Sequence, residues 1–251
     1  MAPKSLAAYA GAALLLAAQT SALEFTIANG QIYTPGLVIV DAPQPGTPLG
    51  GDLIEVALDV STNGRLQLPP YAEDSPSMIH GVAIFLSSYV TGRNFTITNG
   101  TASANNASLG DIMFQEPGST VKHVKWTWPD CLVGDGSRQQ GLGESETDRG
   151  VYNVSIRQSF RLNGTDHYTI FDLPISVTNS IPASENRPSC DSLSNPMLTP
   201  EEILASADTS VPVMFAPGDA TSVQTSPNGA ASWRGGMGWV GLAGLVAVLV
   251  M

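Results

Sequence analysis

Positive charge is scarce in this chain. Its 251 residues carry 11 Lys and Arg against 22 Asp and Glu, which gives a net charge of −11 at pH 7. The cations are scattered singly along the sequence, with only Lys122 and Lys125 close together. Because phosphate binding relies on clustered Lys and Arg, this pattern argues against nucleic acid as a partner.

Motifs for catalysis and for metal binding are also missing. The sequence has no Gly-x-Ser-x-Gly, no His-x-His and no His-Glu-x-x-His. Three histidines remain, at His80, His123 and His167, and the first two lie inside predicted strands where they could meet a carboxylate on a metal. Without a recognised ligand spacing we expect no metal and no cofactor.

Only two cysteines occur, Cys131 and Cys190, and they do not form a Cys-x-x-Cys pair. An even count at this separation predicts one disulfide in an oxidising compartment. Closing a loop of about 60 residues would stabilise the fold by about 4 kcal/mol in the chain-entropy treatment.

No apolar run is long enough to cross a membrane, which takes about 20 residues. The last thirteen residues, Trp239 to Met251, are nevertheless almost wholly apolar. They resemble a glycosylphosphatidylinositol (GPI) attachment signal, because small residues stand upstream at Asn228-Gly229-Ala230 and a polar spacer, 231–238, follows. We therefore expect residues 229–251 to be removed and a GPI lipid to be joined to Asn228.

The other end has the features of a signal peptide. Lys4 precedes a run of Ala and Leu, and small residues before Leu23 predict cleavage after Ala22, which removes residues 1–22. The mature chain, Leu23 to Asn228, would have 206 residues and a net charge of −13, since Lys4 and Arg234 are lost. Such a protein would lie outside the cell, on the outer face of the plasma membrane. Five Asn-x-Ser/Thr sequons then become N-glycosylation acceptors: Asn94, Asn99, Asn106, Asn153 and Asn163.

Residues 23–182 alternate short apolar-polar runs with turn clusters, and no segment in this range has a helical period. Runs rich in β-branched and aromatic residues, bounded by Gly, Pro, Asn or Asp, predict nine strands. The fold class expected is an all-β antiparallel sandwich. The predicted strands are 24–28, 36–40, 52–60, 79–86, 94–98, 111–114, 121–128, 151–161 and 167–177.

One local motif narrows the fold further. The run from Asp148 to Val154, with Gly150 and Tyr152 inside it, resembles the tyrosine corner of immunoglobulin-like domains, with Val154 where antibody domains carry cysteine. The resemblance implies that the Tyr152 hydroxyl bonds back to the loop backbone. Asn163-Gly164 is the expected turn of the hairpin that follows.

Residues 183–228 are rich in Ser, Thr, Ala and Pro and have few large apolar side chains. This composition predicts a flexible, disordered stalk. One short helix, 200–206, is the exception, because Thr199 can cap it, Pro200 suits the first helical position and Glu202 stands at the capping-box position.

Two groups of residues are candidates for binding or chemistry. Trp126 and Trp128 fall on the same face of a predicted strand, where paired indoles either stack on sugar rings or fill the core; the burial habits of tryptophan favour the core. Acidic residues before and after the first cysteine could hold calcium or act as acid and base, although a solvated loop is the preferred interpretation. They are Asp130, Asp135, Glu144, Glu146 and Asp148.

The two processing signals, the sequons, the stalk and the sandwich pattern together resemble secreted GPI-anchored glycoproteins of filamentous fungi. The resemblance implies a structural, adhesive or recognition role at the cell surface or wall, without catalysis, and wall glycans or surface proteins as partners. Two alternatives stay open: a wall-polysaccharide hydrolase or transglycosylase that uses the acidic loop residues, and a glycan-binding module that uses Trp126 and Trp128.

Overall fold

The computed structural model describes residues 24–98, 111–136 and 148–224, and within them the protein is built mainly of β-strands. Six strands form the first sheet: β1 Glu24–Ala28, β2 Gln31–Tyr33, β3 Ile39–Ala42, β5 Leu53–Asp59, β8 Val121–Thr127 and β11 Thr221–Gln224. Five form the second: β4 Pro48–Leu49, β6 Met78–Ser88, β7 Arg93–Thr98, β9 Gly150–Leu162 and β10 Thr165–Val177. The prediction of an all-β fold is confirmed.

The strand order is β11-β1-β2-β3-β5-β8 in the first sheet and β4-β10-β9-β6-β7 in the second. All neighbours are antiparallel except the short β4, which pairs with β10 in parallel. The longest ladder joins β9 and β10, which turn at Asn163-Gly164. Both turn residues have positive φ (51° and 81°), as a two-residue hairpin turn requires, so the hairpin predicted from the Asn-Gly pair is present.

The inner faces of the two sheets share one hydrophobic core. Phe25 of β1 meets Phe171 of β10 edge to face, with ring centroids 5.4 Å apart. Alternation along each strand sends apolar side chains to this face, as in β9, where Tyr152, Val154 and Ile156 are fully buried.

A buried glutamine also joins the sheets. Gln158 of β9 is fully buried, and its side-chain oxygen accepts hydrogen bonds from the backbone N–H groups of Leu37 and Val38 at 3.0 and 2.9 Å. Its amide nitrogen donates to the Thr34 hydroxyl at 2.8 Å. A Cβ on Gly36 would lie only 2.4 Å from the glutamine oxygen, and Gly36 has φ 149°, so this close approach requires glycine.

One predicted strand is a helix. Residues Ile112–Phe114 form a 3₁₀ helix, because the Asp111 carboxylate accepts a hydrogen bond from the Met113 N–H and caps the turn. A second 3₁₀ helix, Asp130–Leu132, follows β8. Strands β2, β4 and β11 were missed by the sequence pattern, since they are only three, two and four residues long.

The expectation of a disordered stalk is corrected for residues 183–224. This segment contains α1 Cys190–Leu193, α2 Pro200–Ser206 and β11, and it packs along the domain. Arg187 is buried and donates to the carbonyls of Trp128 and Pro182, at 3.0 and 2.7 Å. Composition failed here because hydrogen bonds from backbone and polar groups, such as those of Arg187, hold the segment in addition to its few apolar side chains.

Further along, the segment crosses the outer face of the second sheet. The Asn195 backbone N–H donates to the Asn94 carbonyl of β7 at 2.7 Å, and the Asp208 N–H donates to the Tyr168 carbonyl of β10 at 2.7 Å. Helix α2 has the predicted capping box between Thr199 and Glu202. We call residues 183–224 the C-terminal arm. No helix in the part of the chain that the structure describes is long and apolar enough to cross a membrane.

Candidate functional site

The first and last strands of the described chain pair with each other in the first sheet. Strand β11 pairs with β1, with Glu24 opposite Gln224 and Phe25 opposite Val223. An isolated bridge earlier in the arm joins Val213 to Pro35, which follows β2. Asn228 and residues 1–22 lie outside the described residues. The described chain thus begins and ends at one edge of the first sheet, the β1–β11 edge.

The disulfide predicted between Cys131 and Cys190 is present and joins the 3₁₀ helix after β8 to α1. The Asp130 carboxylate accepts a hydrogen bond from the Cys190 N–H at 3.0 Å. Asp130 and the two cysteines form a compact group of metal-ligand types, but both sulfurs are taken up by the bridge. The bridge lies beside the end of β8, at the opposite edge from the β1–β11 terminus.

Both tryptophans are in the core. Trp126 is 3% exposed and Trp128 is fully buried, with their ring centroids 6.0 Å apart and nearly perpendicular. Trp126 also lies 6.3 Å from Phe95 of the opposite sheet, and the Trp128 indole N–H donates to the Gly50 carbonyl at 3.1 Å. Neither ring presents a face to solvent. The alternative of a glycan-binding role for this pair is therefore corrected, because both tryptophans are core residues.

The acidic candidates have separate structural tasks where they are described. The Asp148 carboxylate binds Arg93 through both oxygens, at 2.7 and 2.9 Å. The Tyr152 hydroxyl donates to the Asp148 carbonyl, as the tyrosine-corner resemblance implied, and it receives a bond from Thr91. Asp135 is exposed near Arg149, which lies in its electrostatic field. Glu144 and Glu146 lie outside the described residues.

The histidines pair with different carboxylates. His80 lies 3.1 Å from Asp166, His123 lies 3.2 Å from Glu116, and His167 lies 2.7 Å from Asp208. In the Asp208 pair, hydrogen bonds from Ser210 and then from His167 lower the pKa of the carboxyl to about 2. Hydrogen bonds from Arg161 and His80 likewise lower the pKa of Asp166. Within the described ranges no two histidines converge on one carboxylate.

The sequons differ in accessibility. Asn94 and Asn153 are 4% exposed, and the Asn94 side-chain amide already donates to the Pro196 carbonyl of the arm at 2.9 Å. Asn163 is exposed at the β9–β10 turn. Asn99 and Asn106 lie outside the described residues. Of the three sequons that the structure describes, only Asn163 presents its amide to solvent.

Asn163 borders a groove of about 350 Å³ that sequence reasoning missed. Its floor is apolar, formed by Leu37, Leu66 and Leu162, and its rim carries Arg65, Asn163 and Phe215. We call it the Asn163 groove. Its lining residues come from distant parts of the chain, from Leu37 before β3 to Phe215 in the arm, and no local pattern marks such a site.

A second groove, of about 270 Å³, lies on the other side of the start of β6. It is bordered by the Pro69–Pro70 segment, Tyr71, Met78, His80 and Phe114, and the Phe114 side chain is 66% exposed. Both grooves adjoin the hairpin turn, because Met78 pairs with Arg161 near the end of β9.

Comparison of the chain with protein-family models, with curated proteins and with solved structures finds no match.

Proposed function

We propose that this protein is a GPI-anchored extracellular glycoprotein with a structural, adhesive or recognition role at the cell surface or wall, and that it acts without catalysis. The observation that carries the proposal is the pairing of β11 with β1. It brings β1, which begins one residue after the expected cleavage site, beside a strand that ends four positions before Asn228.

This pairing gives the proposed anchor a geometric consequence. With residues 1–22 and 229–251 removed, the described chain starts and stops at the β1–β11 edge, which is the anchor edge of this proposal, and four residues of sequence lie between β11 and the lipid, Asn228 included. Four extended residues span at most about 14 Å, so the domain would lie close to the headgroups. The other end of these strands, where the Asn29-Gly30 turn lies and where β8 leads to the Cys131–Cys190 bridge, would face outward.

We further propose that the fold is an immunoglobulin-like sandwich. The order β10-β9-β6-β7 corresponds to the G-F-C-C′ order of such domains, and Tyr152 near the start of β9 stands where their conserved tyrosine stands. The added β1–β2 hairpin and β11 extend the other sheet. This architecture supports a recognition role only in a general sense, because such sandwiches host many functions.

The expected partners are wall glycans or surface proteins that reach the outward end of the domain or the two grooves. The buried indoles remove the aromatic platform that a glycan-binding module would have used. For the hydrolase alternative, Asp148 is held by Arg93 and Asp130 by the Cys190 N–H, so each has a structural partner. The proposal therefore assigns these carboxylates to stability.

The test is phospholipase release from intact cells. The full chain is produced in a eukaryotic host, and phosphatidylinositol-specific phospholipase C should free it, with mass spectrometry finding Leu23 first and Asn228 last. Asn228→Leu should block release, because the transamidase takes small residues, whereas the matched control Ser226→Leu should leave release intact. Recovery of a cell-bound chain that still ends in Met251 would overturn the proposal.

A further inference from the structure

The Asn163 groove combines an apolar floor with a polar rim. Leu37, Leu66 and Leu162 contribute the floor, and the volume of about 350 Å³ is at the small end of the range for ligand pockets. Thr62 and Ser77 add hydroxyl groups to its lining. Apolar contact combined with hydrogen-bonding groups suits a sugar ring, which has an apolar C–H face and a polar edge.

Asn163 lies at this groove, and its side chain can carry an N-linked glycan. Its residue is exposed, its backbone N–H donates to the Ser77 hydroxyl at 3.3 Å, and its side-chain amide has no hydrogen-bond partner among the described residues. The sequon is completed by Thr165, which is also exposed. An amide that is free and exposed is what N-glycosylation requires, and the turn fixes its position at the rim.

Phe215 of the arm also lines the Asn163 groove. The Arg65 guanidinium lies 5.2 Å from the centroid of the Phe215 ring and also donates to the Phe215 carbonyl at 3.3 Å. Phe215 has φ 62°, which is rare for a bulky residue and costs of order 1–3 kcal/mol. The arm therefore holds a half-buried aromatic ring at the same groove that Asn163, a glycosylation acceptor, also lines.

From this arrangement we propose that the N-linked glycan of Asn163 folds back into the Asn163 groove, with its first N-acetylglucosamine packed against the Phe215 ring. The inference rests on the proposed function in one respect, namely entry into the secretory pathway. The bound sugar joins the hairpin turn to the C-terminal arm, since Asn163 follows β9 and Phe215 belongs to the arm. It stabilises the arm close to the anchor edge.

A double-mutant comparison at Thr165 and Phe215 tests this. Thr165→Ser keeps the sequon and Thr165→Ala removes it, so the pair differs by the glycan with little change to the turn. The full chain is made in a host that adds high-mannose glycans and is released from intact cells by phospholipase, and an endoglycosidase then trims each glycan to one N-acetylglucosamine. The Thr165→Ala protein should then unfold about 2–4 °C below the Thr165→Ser protein.

The same pair is compared in a Phe215→Ala background, with Phe215→Leu as the second background in case the alanine variant does not fold. The gap between the Thr165 variants should shrink to less than about 1 °C, because the sugar has lost its aromatic wall. In the native background, nuclear Overhauser contacts should connect the N-acetyl group to the Phe215 ring. An undiminished gap in both backgrounds, or no such contacts, would overturn the inference.

Failure of the inference differs from failure of the proposed function. A protein that reaches the cell surface and is released by phospholipase, but whose Asn163 is unmodified, contradicts only the glycan proposal. A protein that is retained in the cell with no glycan at any sequon contradicts export, and with it the proposed function.

Discussion

Glu24 and Gln224 lie opposite each other in the antiparallel pairing of β1 and β11. The pair joins the first described strand to the last one, and it closes the first sheet with a strand contributed by the arm. The disulfide, Arg187 and the Asn195 contacts tie the same arm to the domain at earlier points. Attachment of the arm at several places therefore decides where a lipid at Asn228 would hold the domain.

The β1–β11 pairing predicts an additional disulfide. In the double variant Glu24→Cys/Gln224→Cys, the two new cysteines oppose each other on adjacent strands, within the range of Cα separations that disulfides span. Secretion into an oxidising medium should join them, and mass spectrometry of peptides should find the cross-link. The control Glu24→Cys/Ser222→Cys is out of register by two residues and should cross-link far less.

Sequon occupancy should follow accessibility. Asn163 should carry a glycan, whereas Asn94 and Asn153, both 4% exposed, should be largely unmodified in the secreted protein. A glycan on Asn94 would displace the Pro196 contact and lift the arm from β7. Glycopeptide mass spectrometry measures each site separately. High occupancy at Asn94 in a protein with a native disulfide would contradict the observed position of the arm.

Much of the fold can be read from the sequence because it depends on local pattern. The hairpin turn at Asn163-Gly164, the bond from Tyr152 to the Asp148 loop and the capping box of Thr199 and Glu202 each involve residues close together in the chain. The single disulfide also follows, because two cysteines allow one pairing. The turn, the tyrosine bond and the capping box can each be recognised from residues within a few positions of one another.

The arm and the Asn163 groove could not be predicted in this way. Arg187 is a charged residue in a polar stretch, yet it is buried against backbone carbonyls of residues about 60 and 135 positions away. Phe215 is held at the groove by Arg65, which stands 150 positions earlier in the chain and donates to the Phe215 carbonyl. Composition describes how much apolar surface a segment offers, but it carries no information on which distant polar groups will meet it.

Trp128 is expected to affect stability rather than ligand binding. Trp128→Ala should lower the free energy of unfolding by about 3–5 kcal/mol, because a fully buried indole is removed from the core. Trp128→Phe should lose less, chiefly the hydrogen bond to the Gly50 carbonyl. Denaturant unfolding measures both. If Trp128→Ala abolished wall-glycan binding but left the unfolding midpoint unchanged, the result would instead support a glycan-binding role for Trp128.

Tyr152 should contribute through its hydroxyl. Tyr152→Phe keeps the buried ring but leaves the Asp148 carbonyl without its donor and Thr91 without its acceptor, which should cost about 1–2 kcal/mol. Tyr168→Phe is the matched control, since Tyr168 is 36% exposed, and it should leave the unfolding midpoint within experimental error. Equal effects of the two substitutions would show that the Tyr152 hydroxyl does not contribute to stability.

Asp172 gives the fold a pH dependence of unusual sign. It is 7% exposed beneath the arm, one of its carboxylate oxygens has no hydrogen-bond partner among the described residues, and burial raises its pKa above 3.8. Ser155 and Arg157 partly offset this by favouring the charged form. Burial, followed by the Asp172 charge, also raises the pKa of neighbouring Tyr89 to about 12.

An acid whose pKa is raised by folding binds its proton more tightly in the folded than in the unfolded state. Its contribution to stability is therefore present below pH 3.8 and is lost as the pH rises through the folded pKa. Asp172→Asn removes the buried charge, so it should stabilise the protein at pH 7 and have little effect below pH 3.8. Thermal unfolding across this pH range measures the difference.

Asp166→Asn is the control of opposite sign. Arg161 and His80 lower the pKa of this exposed carboxyl, so its contribution to stability is present above pH 3.8 and is lost as the pH falls. The substitution should lower the unfolding temperature slightly at pH 7 and have no effect in strong acid. If Asp172→Asn also lowered the unfolding temperature at pH 7, Ser155 and Arg157 would compensate the buried charge fully. The expected stabilisation by the neutral side chain would then be refuted.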